Sequence, residues 1–69
     1  MNIESALKKG QSILKSKKIK TAELDSHILM SKVINKEKKF LILNSKEKIS
    51  KKSLENFINL IDQRSNGKP

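Results

Sequence analysis

The chain has 69 residues, of which sixteen are basic and seven acidic, and its formal net charge is +9. It has no cysteine, which excludes a disulfide scaffold, a thiolate metal site and a cysteine nucleophile. The length allows one small domain over residues 1–69, and the longest wholly apolar run, residues 40–43, is far below the ~18–20 residues of a membrane span. Because the N-terminus also lacks the apolar core of a signal peptide, we expect a cytoplasmic protein without a membrane partner.

The positive charge has two interpretations. A net charge of +9 attracts polyanions, which makes nucleic acid a partner to consider. Against this, fifteen of the sixteen basic residues are lysine and only Arg64 is arginine, whereas nucleic-acid readers favour arginine forks and aromatic stacking. A solvated lysine surface is therefore the competing interpretation. If a functional patch exists, the candidate partner-binding residues are those of the densest cluster: Lys15, Lys17, Lys18 and Lys20.

The first predicted helix covers residues 3–17. Its apolar residues follow the 3-4-3-4 spacing that gathers side chains into one stripe, at Ile3, Ala6, Leu7, Gly10, Ile13 and Leu14. Asn2 is a suitable N-cap, and Glu4 suits the positive end of the helix dipole. Since Gly10 costs about 1 kcal/mol of helix stability relative to alanine, its place within the stripe predicts a close helix crossing there.

The second predicted helix covers residues 22–34, with Thr21 as its N-cap and Asn35 as the left-handed residue that ends it. Its apolar residues spread around most of the circumference: Leu24, Ile28, Leu29, Met30, Val33 and Ile34. A helix that is apolar on several sides is usually surrounded by neighbours. The pattern therefore predicts that this is the enclosed, central helix of the domain.

Residues 37–43 are ambiguous on pattern alone, because a four-residue apolar block fits a short strand as well as a buried helical turn. No other part of the chain alternates with period two to provide a partner strand, which favours a short helix. Residues 44–48 form a predicted polar loop.

The fourth predicted helix has Ser50 as its N-cap, and Ile49 can pack on Leu54 as a hydrophobic staple. Gly67 is predicted to end it in the left-handed conformation, and Pro69 to prevent it from resuming. Its core stripe consists of Leu54, Phe57, Ile58 and Ile61, with Leu60 at the edge and Glu55, Asn56, Asn59 and Asp62 facing water. The fold class that follows is all-α, a small bundle of four, or at most five, short helices.

Residues suited to chemistry are sparse. His27 is the only histidine, with Glu23 one turn before it, and is typical of a surface or boundary residue. The acids are scattered, the serines have no base within a plausible constellation, and two distant glycines cannot form a phosphate-binding loop. We therefore predict no catalytic, metal or cofactor site in this chain, and interpret residues 67–69 as the exit into a following segment.

Two stretches carry a resemblance to a known family. Residues 21–30, Thr-Ala-Glu-Leu-Asp-Ser-His-Ile-Leu-Met, resemble the second-helix signature Ala-x-Leu-Asp-Ala-Glu-Leu-Leu-Leu of the release-factor glutamine methyltransferases of the HemK/PrmC type. The tail, with Ile49-Ser50 and then residues 64–69, Arg-Ser-Asn-Gly-Lys-Pro, resembles that family's Leu-Ser/Thr start followed by Arg-Arg-x-x-Gly-Glu-Pro. His27 and Lys68 depart from the pattern, since each stands where the family has glutamate.

The resemblance implies an N-terminal substrate-recognition domain of a longer enzyme. Such enzymes transfer a methyl group from S-adenosylmethionine to the glutamine of the Gly-Gly-Gln motif in peptide-chain release factors. Their cofactor loop and Asn-Pro-Pro-Tyr motif do not occur in residues 1–69, so no catalytic or cofactor residue is assigned here. The implied partners are a release factor and the enzyme's own Rossmann-like catalytic domain, and the chain itself is expected to be a monomer.

Two other functions remain open from the residues alone. One is a free-standing basic helical module that binds RNA or DNA, with affinity that falls steeply with salt. The other is a helical protein–protein adaptor of a different family.

Overall fold

A computed structural model describes residues 1–67 of the chain. These residues form four helices, α1 (Ile3–Ser16), α2 (Ala22–Ile34), α3 (Lys38–Leu43) and α4 (Lys51–Ser65), and no strand. The predicted all-α bundle is confirmed, with four helices rather than five in the described part. The prediction for Pro69 lies outside the described residues. Within residues 1–67, each helix is too short or too polar to span a lipid bilayer.

The predicted apolar stripe of α1 is buried except for Ile13, which is partly buried against the core. The helix packs against both α2 and α4 and ends at Ser16, one residue earlier than predicted, with Lys17 as its C-cap. Asn2 is the N-cap, and its side chain accepts a hydrogen bond of 2.8 Å from the Ser5 N–H. The buried stripe residues of α1 are Ile3, Ala6, Leu7, Gly10 and Leu14.

The loop between α3 and α4 completes the start of α1. The N–H groups of Ile3 and Glu4 have no acceptor within their own helix, and they donate to the carbonyl oxygens of Glu47 and Ser45 at 2.9 Å each. An isolated antiparallel bridge between residues 2 and 48 lies beside these bonds. The segment predicted as a plain polar loop therefore caps α1 through its backbone.

Glu4 is the electrostatic centre of this junction. Its carboxylate lies 3.1 Å from the Lys46 ammonium of the loop and 3.9 Å from the Lys8 ammonium of α1. The hydrogen bond and charge of Lys46, followed by the charge of Lys8, hold the pKa of Glu4 below its ordinary value. The ion pair of Glu4 with Lys46 joins the loop to α1 at the protein surface.

Replacing Glu4 is expected to have a pH-dependent effect. A carboxyl whose pKa is lower in the folded than in the unfolded state stabilises the fold above the unfolded pKa, and this stabilisation is lost as pH falls through the folded pKa. We therefore expect Glu4→Gln to lower Tm at about pH 7 and to match the wild type at about pH 2. Glu55→Gln, at an exposed carboxylate without an ion pair among residues 1–67, is the matched control and should change Tm little. A Tm difference between Glu4→Gln and the wild type that persists unchanged in acid would show that the charge of Glu4 does not stabilise the fold.

α1 and α4 cross closely at Gly10, as predicted. A Cβ added at Gly10 would lie 2.7 Å from Cζ of Phe57 and 3.0 Å from Cδ1 of Ile61, both fully buried. The Phe57 ring thus occupies the space that any other side chain at position 10 would need. This contact fixes α4 against α1 at the centre of the core.

α2 is central but not enclosed. It packs against α1, α3 and α4, with Ala22, Ser26 and Met30 buried, which confirms the predicted central position. The prediction of enclosure is wrong, because Leu24 is 50% exposed and Ile28 is 45% exposed. The other helices cover only one side of α2, and these two residues point away from them.

The two ends of α2 differ in how well they were predicted. Asn35 is left-handed, with φ 56° and ψ 47°, which confirms the predicted C-terminal residue. Thr21 is the N-cap residue, as predicted, but its side chain forms no capping hydrogen bond with the helix backbone. Its hydroxyl donates a hydrogen bond of 2.9 Å to the Asp25 carboxylate in the first turn of the helix.

α3 and α4 follow the predicted pattern. Residues 38–43 are a short helix rather than a strand, and Leu41 anchors it in the core. Ser50 caps α4 by accepting a 3.1 Å hydrogen bond from the Ser53 N–H, and Gly67 has a φ of 81° beyond the helix end. Phe57 and Ile61 are buried, whereas the other apolar residues near them are partly buried against the core: Ile49, Leu54 and Ile58.

Candidate functional site

Side chains with reactive groups are dispersed over residues 1–67. No three or more His, Cys, Asp or Glu residues lie close enough there to hold a metal ion. His27 is half-buried, and its Nδ1 donates to the carbonyl oxygen of Glu23 at 2.8 Å, which confirms it as a boundary residue. What the described part of the chain offers a partner is therefore its surface.

The most distinctive surface is a groove on the side of α2 that faces away from the core. Leu24 and Ile28 are one turn apart and form its apolar floor, and Ser31 and Asn35 continue the same face of the helix. The groove has a volume of about 510 Å³ and ends against the start of α3 at Glu37. We call this feature the α2 groove.

Lysines surround the α2 groove. Lys32 and Lys36 come from the end of α2 and the segment after it, and Lys38 begins α3. All three are exposed, and the Lys36 ammonium lies 5.3 Å from the centre of the Phe40 ring, within range of a cation–π interaction. With Glu37 as the one carboxylate on the rim, the groove combines an apolar floor with a net positive edge.

The four predicted partner-binding lysines form a different surface. They lie at the end of α1 and in the turn that leads to α2, and all of them are exposed. Lys18 has a φ of 62°, which reverses the chain at this turn. None of Lys15, Lys17, Lys18 and Lys20 takes part in the ion pairs found among residues 1–67, so the turn presents four uncompensated charges. Their role in binding a partner stays a prediction.

The α2 groove could not be predicted by counting apolar residues. The apolar residues around most of its circumference predict that α2 is enclosed, because an all-round apolar helix is usually surrounded by neighbours. The positions of the apolar residues around the helix, rather than their number, distinguish the groove from the core face. Leu24 and Ile28 lie on the side of the helix opposite the buried residues Ala22, Ser26 and Met30.

A second feature joins the two stretches that carry the family resemblance. The Nε of Arg64 in α4 donates to the Asp25 carboxylate of α2 at 3.0 Å. The same carboxylate oxygen accepts a hydrogen bond from the Thr21 hydroxyl, and the Asp25 side chain is 17% exposed. The Leu-Asp stretch of α2 and the arginine near the end of α4 are thus in direct contact. Their role in the described structure is to fix α4 against α2.

Removing this contact is expected to destabilise the fold modestly. A hydrogen bond to a charged group contributes about 1.5–3 kcal/mol when buried, and we expect about 1 kcal/mol here because Arg64 is 37% exposed. A double-mutant cycle of Arg64→Met and Asp25→Asn, measured by urea unfolding, should give that coupling energy. Lys52→Met, at an exposed lysine, is the matched control. A coupling energy of zero would show that the pair contributes nothing.

Comparison with known proteins gives a family and two relatives. Residues 5–69 match the PrmC N-terminal domain family. The chain is 36% identical over 69 residues to a release factor glutamine methyltransferase of Clostridium acetobutylicum and 30% identical over 69 residues to one of Clostridium botulinum. Each alignment covers 100% of this chain and 24% of the relative, so the chain spans about a quarter of the length of these relatives. No solved structure gives a significant match.

Proposed function

The chain belongs to the PrmC N-terminal domain family, and we propose that it docks a peptide-chain release factor for a glutamine methyltransferase that uses S-adenosylmethionine. The observation that carries the proposal is the alignment of the whole chain with relatives that are named release factor glutamine methyltransferases and are about four times as long. On this proposal the chain contributes to translation termination in the cytoplasm, as a monomeric domain attached to its catalytic partner.

Neither glycine of residues 1–67 fits the glycine-rich loop of an S-adenosylmethionine site. The Phe57 ring occupies the space beside Gly10, and Gly67 lies beyond the end of α4. Neither glycine therefore forms part of a loop that could bind a nucleoside or a carboxylate. The cofactor, which supplies the methyl group, is therefore assigned to the part of the enzyme beyond these residues. No step of the transfer is assigned to a side chain of this chain.

What the chain supplies is positioning. A rigid bundle that holds the release factor raises the local concentration of the glutamine at a distant catalytic pocket and restricts its orientation. The net charge of +9 would also speed the encounter with an acidic surface, more than it would deepen the affinity. The tight packing of Phe57 against Gly10 supports this role, because it fixes α4 against α1.

Binding measurements test this proposal. Isothermal titration of the chain with a purified bacterial release factor is expected to give saturable one-to-one binding that retains much of its strength at about 0.15 M salt. The alternative, a nucleic-acid-binding module, is supported by the uncompensated lysines at positions 15–20. It predicts binding to labelled RNA or DNA that falls steeply between low and physiological salt. Nucleic-acid binding without release-factor binding would replace the proposal with this alternative.

A further inference from the structure

The α2 groove combines two features that a docking site for a helix needs. Its floor is apolar, since Leu24 and Ile28 are each about half exposed and lie one turn apart on the same face. Two such residues match the i and i+4 side chains of an amphipathic helix laid along α2. Neither side chain contributes to the buried core, so burying them against a partner would remove apolar surface from water without altering the fold.

The rim of the groove specifies the charge of the occupant. Lys32, Lys36 and Lys38 border the floor, against Glu37 as the one acidic residue in the lining. A segment with carboxylates beside its apolar residues would place opposite charges against this rim, whereas a basic segment would be repelled. The complement of the groove is therefore an acidic amphipathic helix.

The lysine turn at positions 15–20 is a weaker candidate for the same role. Its four lysines are exposed, and Ile19, the apolar residue among them, is packed against the core. Such a surface offers charge alone, and exposed charge pairs contribute about 0–1 kcal/mol each. The α2 groove offers apolar burial together with charge, which is the composition of specific interfaces.

We propose that the α2 groove is the docking site for an acidic amphipathic helix of the release factor. The identity of the partner rests on the proposed function, whereas the chemistry of the occupant rests on the groove itself. The floor has only two half-exposed apolar side chains within a charged rim, which suits a partner that binds and leaves better than a permanent domain interface.

The first experiment tests the chemistry of the occupant without a release factor. Two synthetic helical peptides carry leucines at the same i, i+4 spacing, one with glutamate and the other with lysine at the remaining charged positions. Each is titrated into the isotope-labelled chain, and amide shifts are followed by NMR. We expect the glutamate peptide to shift the amides of residues 24–38 and the lysine peptide to leave them unchanged. Equal shifts with both peptides, shifts only at residues 15–20, or no shifts would overturn the proposal.

The second experiment tests the release factor as the occupant. The double variant Leu24→Ser/Ile28→Ser removes the floor, and Ile42→Ser/Leu43→Ser removes two exposed apolar residues from α3 as a matched control. We expect the first variant to weaken release-factor binding about tenfold and the second to leave it within about twofold, with the Tm of both close to that of the wild type. Lys32→Glu/Lys36→Glu should also weaken binding, whereas Lys51→Glu/Lys52→Glu should not.

The outcomes of the second experiment separate the two proposals. Release-factor binding that survives in Leu24→Ser/Ile28→Ser would overturn the groove as the docking site and leave the docking function standing. No release-factor binding by the wild-type chain would contradict the docking function and also remove the release factor as the occupant. In that case the peptide experiment still decides whether the groove accepts an acidic helix.

Discussion

Phe57→Ala is expected to unfold most of the chain at 37 °C. The Phe57 ring is fully buried between α1 and α4 and fills the space above Gly10. Truncating a buried phenylalanine to alanine costs about 3–5 kcal/mol, because it removes apolar contacts and leaves a cavity. The core of a domain of 69 residues rarely supplies more than about 3–5 kcal/mol of stability, so the expected loss is comparable to the whole. Urea unfolding followed by far-UV circular dichroism measures the loss.

Two controls distinguish the loss of packing from a general sensitivity to substitution. Phe57→Leu keeps most of the apolar volume and should cost about 1–2 kcal/mol. Leu43→Ala removes an apolar side chain that is 72% exposed and should change the free energy of unfolding by less than about 0.5 kcal/mol. A cooperative transition for Phe57→Ala within about 1 kcal/mol of the wild type would contradict the central place of this ring.

Gly10→Leu is expected to destabilise the fold by about 3 kcal/mol, although leucine favours helix more than glycine does. Even a Cβ at this position would lie 2.7 Å from the Phe57 ring and 3.0 Å from Ile61, and the remaining leucine atoms have no space. Overpacking of this kind typically costs 1–3 kcal/mol, and we expect the upper end because both neighbours are fully buried. The measurement is Tm, which should fall by roughly 12–24 °C in a domain of this size.

Gly10→Ala and Lys9→Ala complete the series. Alanine at position 10 gains about 1 kcal/mol of helix propensity but still meets the Phe57 ring, so we expect a net loss of about 1 kcal/mol. Lys9→Ala, at the neighbouring exposed position of α1, removes no packing and should leave the stability nearly unchanged. If Gly10→Ala stabilised the chain, helix propensity would outweigh the close approach of α4.

Much of the fold could be predicted from local patterns. The stripe of α1, the asparagine and serine caps of α1 and α4, and the left-handed Asn35 follow from interactions within a few residues of the chain. Gly10 could be assigned to a helix crossing because its cost within a helix has to be offset by packing. The backbone bonds from Ile3 and Glu4 to residues 45 and 47 could not be predicted, since they depend on where a distant loop returns.

The candidate site was less predictable than the fold. Apolar spacing shows which helices are amphipathic, but it cannot show which side of an all-round apolar helix lacks a neighbour. The exposure of Leu24 and Ile28 depends on how α1, α3 and α4 are arranged around α2. The contact of Asp25 with Arg64 is of the same kind, because it joins residues 39 positions apart. The lysine cluster at positions 15–20 was visible in the sequence because its members are close along the chain.

We propose that this chain positions a release factor for methyl transfer carried out by another part of a longer enzyme. The most direct test uses the Clostridium acetobutylicum relative, with its segment matching this chain either deleted or replaced by residues 1–69. Methyl transfer to a release factor is measured under conditions that give kcat/KM. We expect the chimera to approach the intact enzyme and the deletion to lose at least about tenfold in kcat/KM, mainly through a higher KM. Equal kcat/KM for the deletion, the chimera and the intact enzyme would contradict the claim.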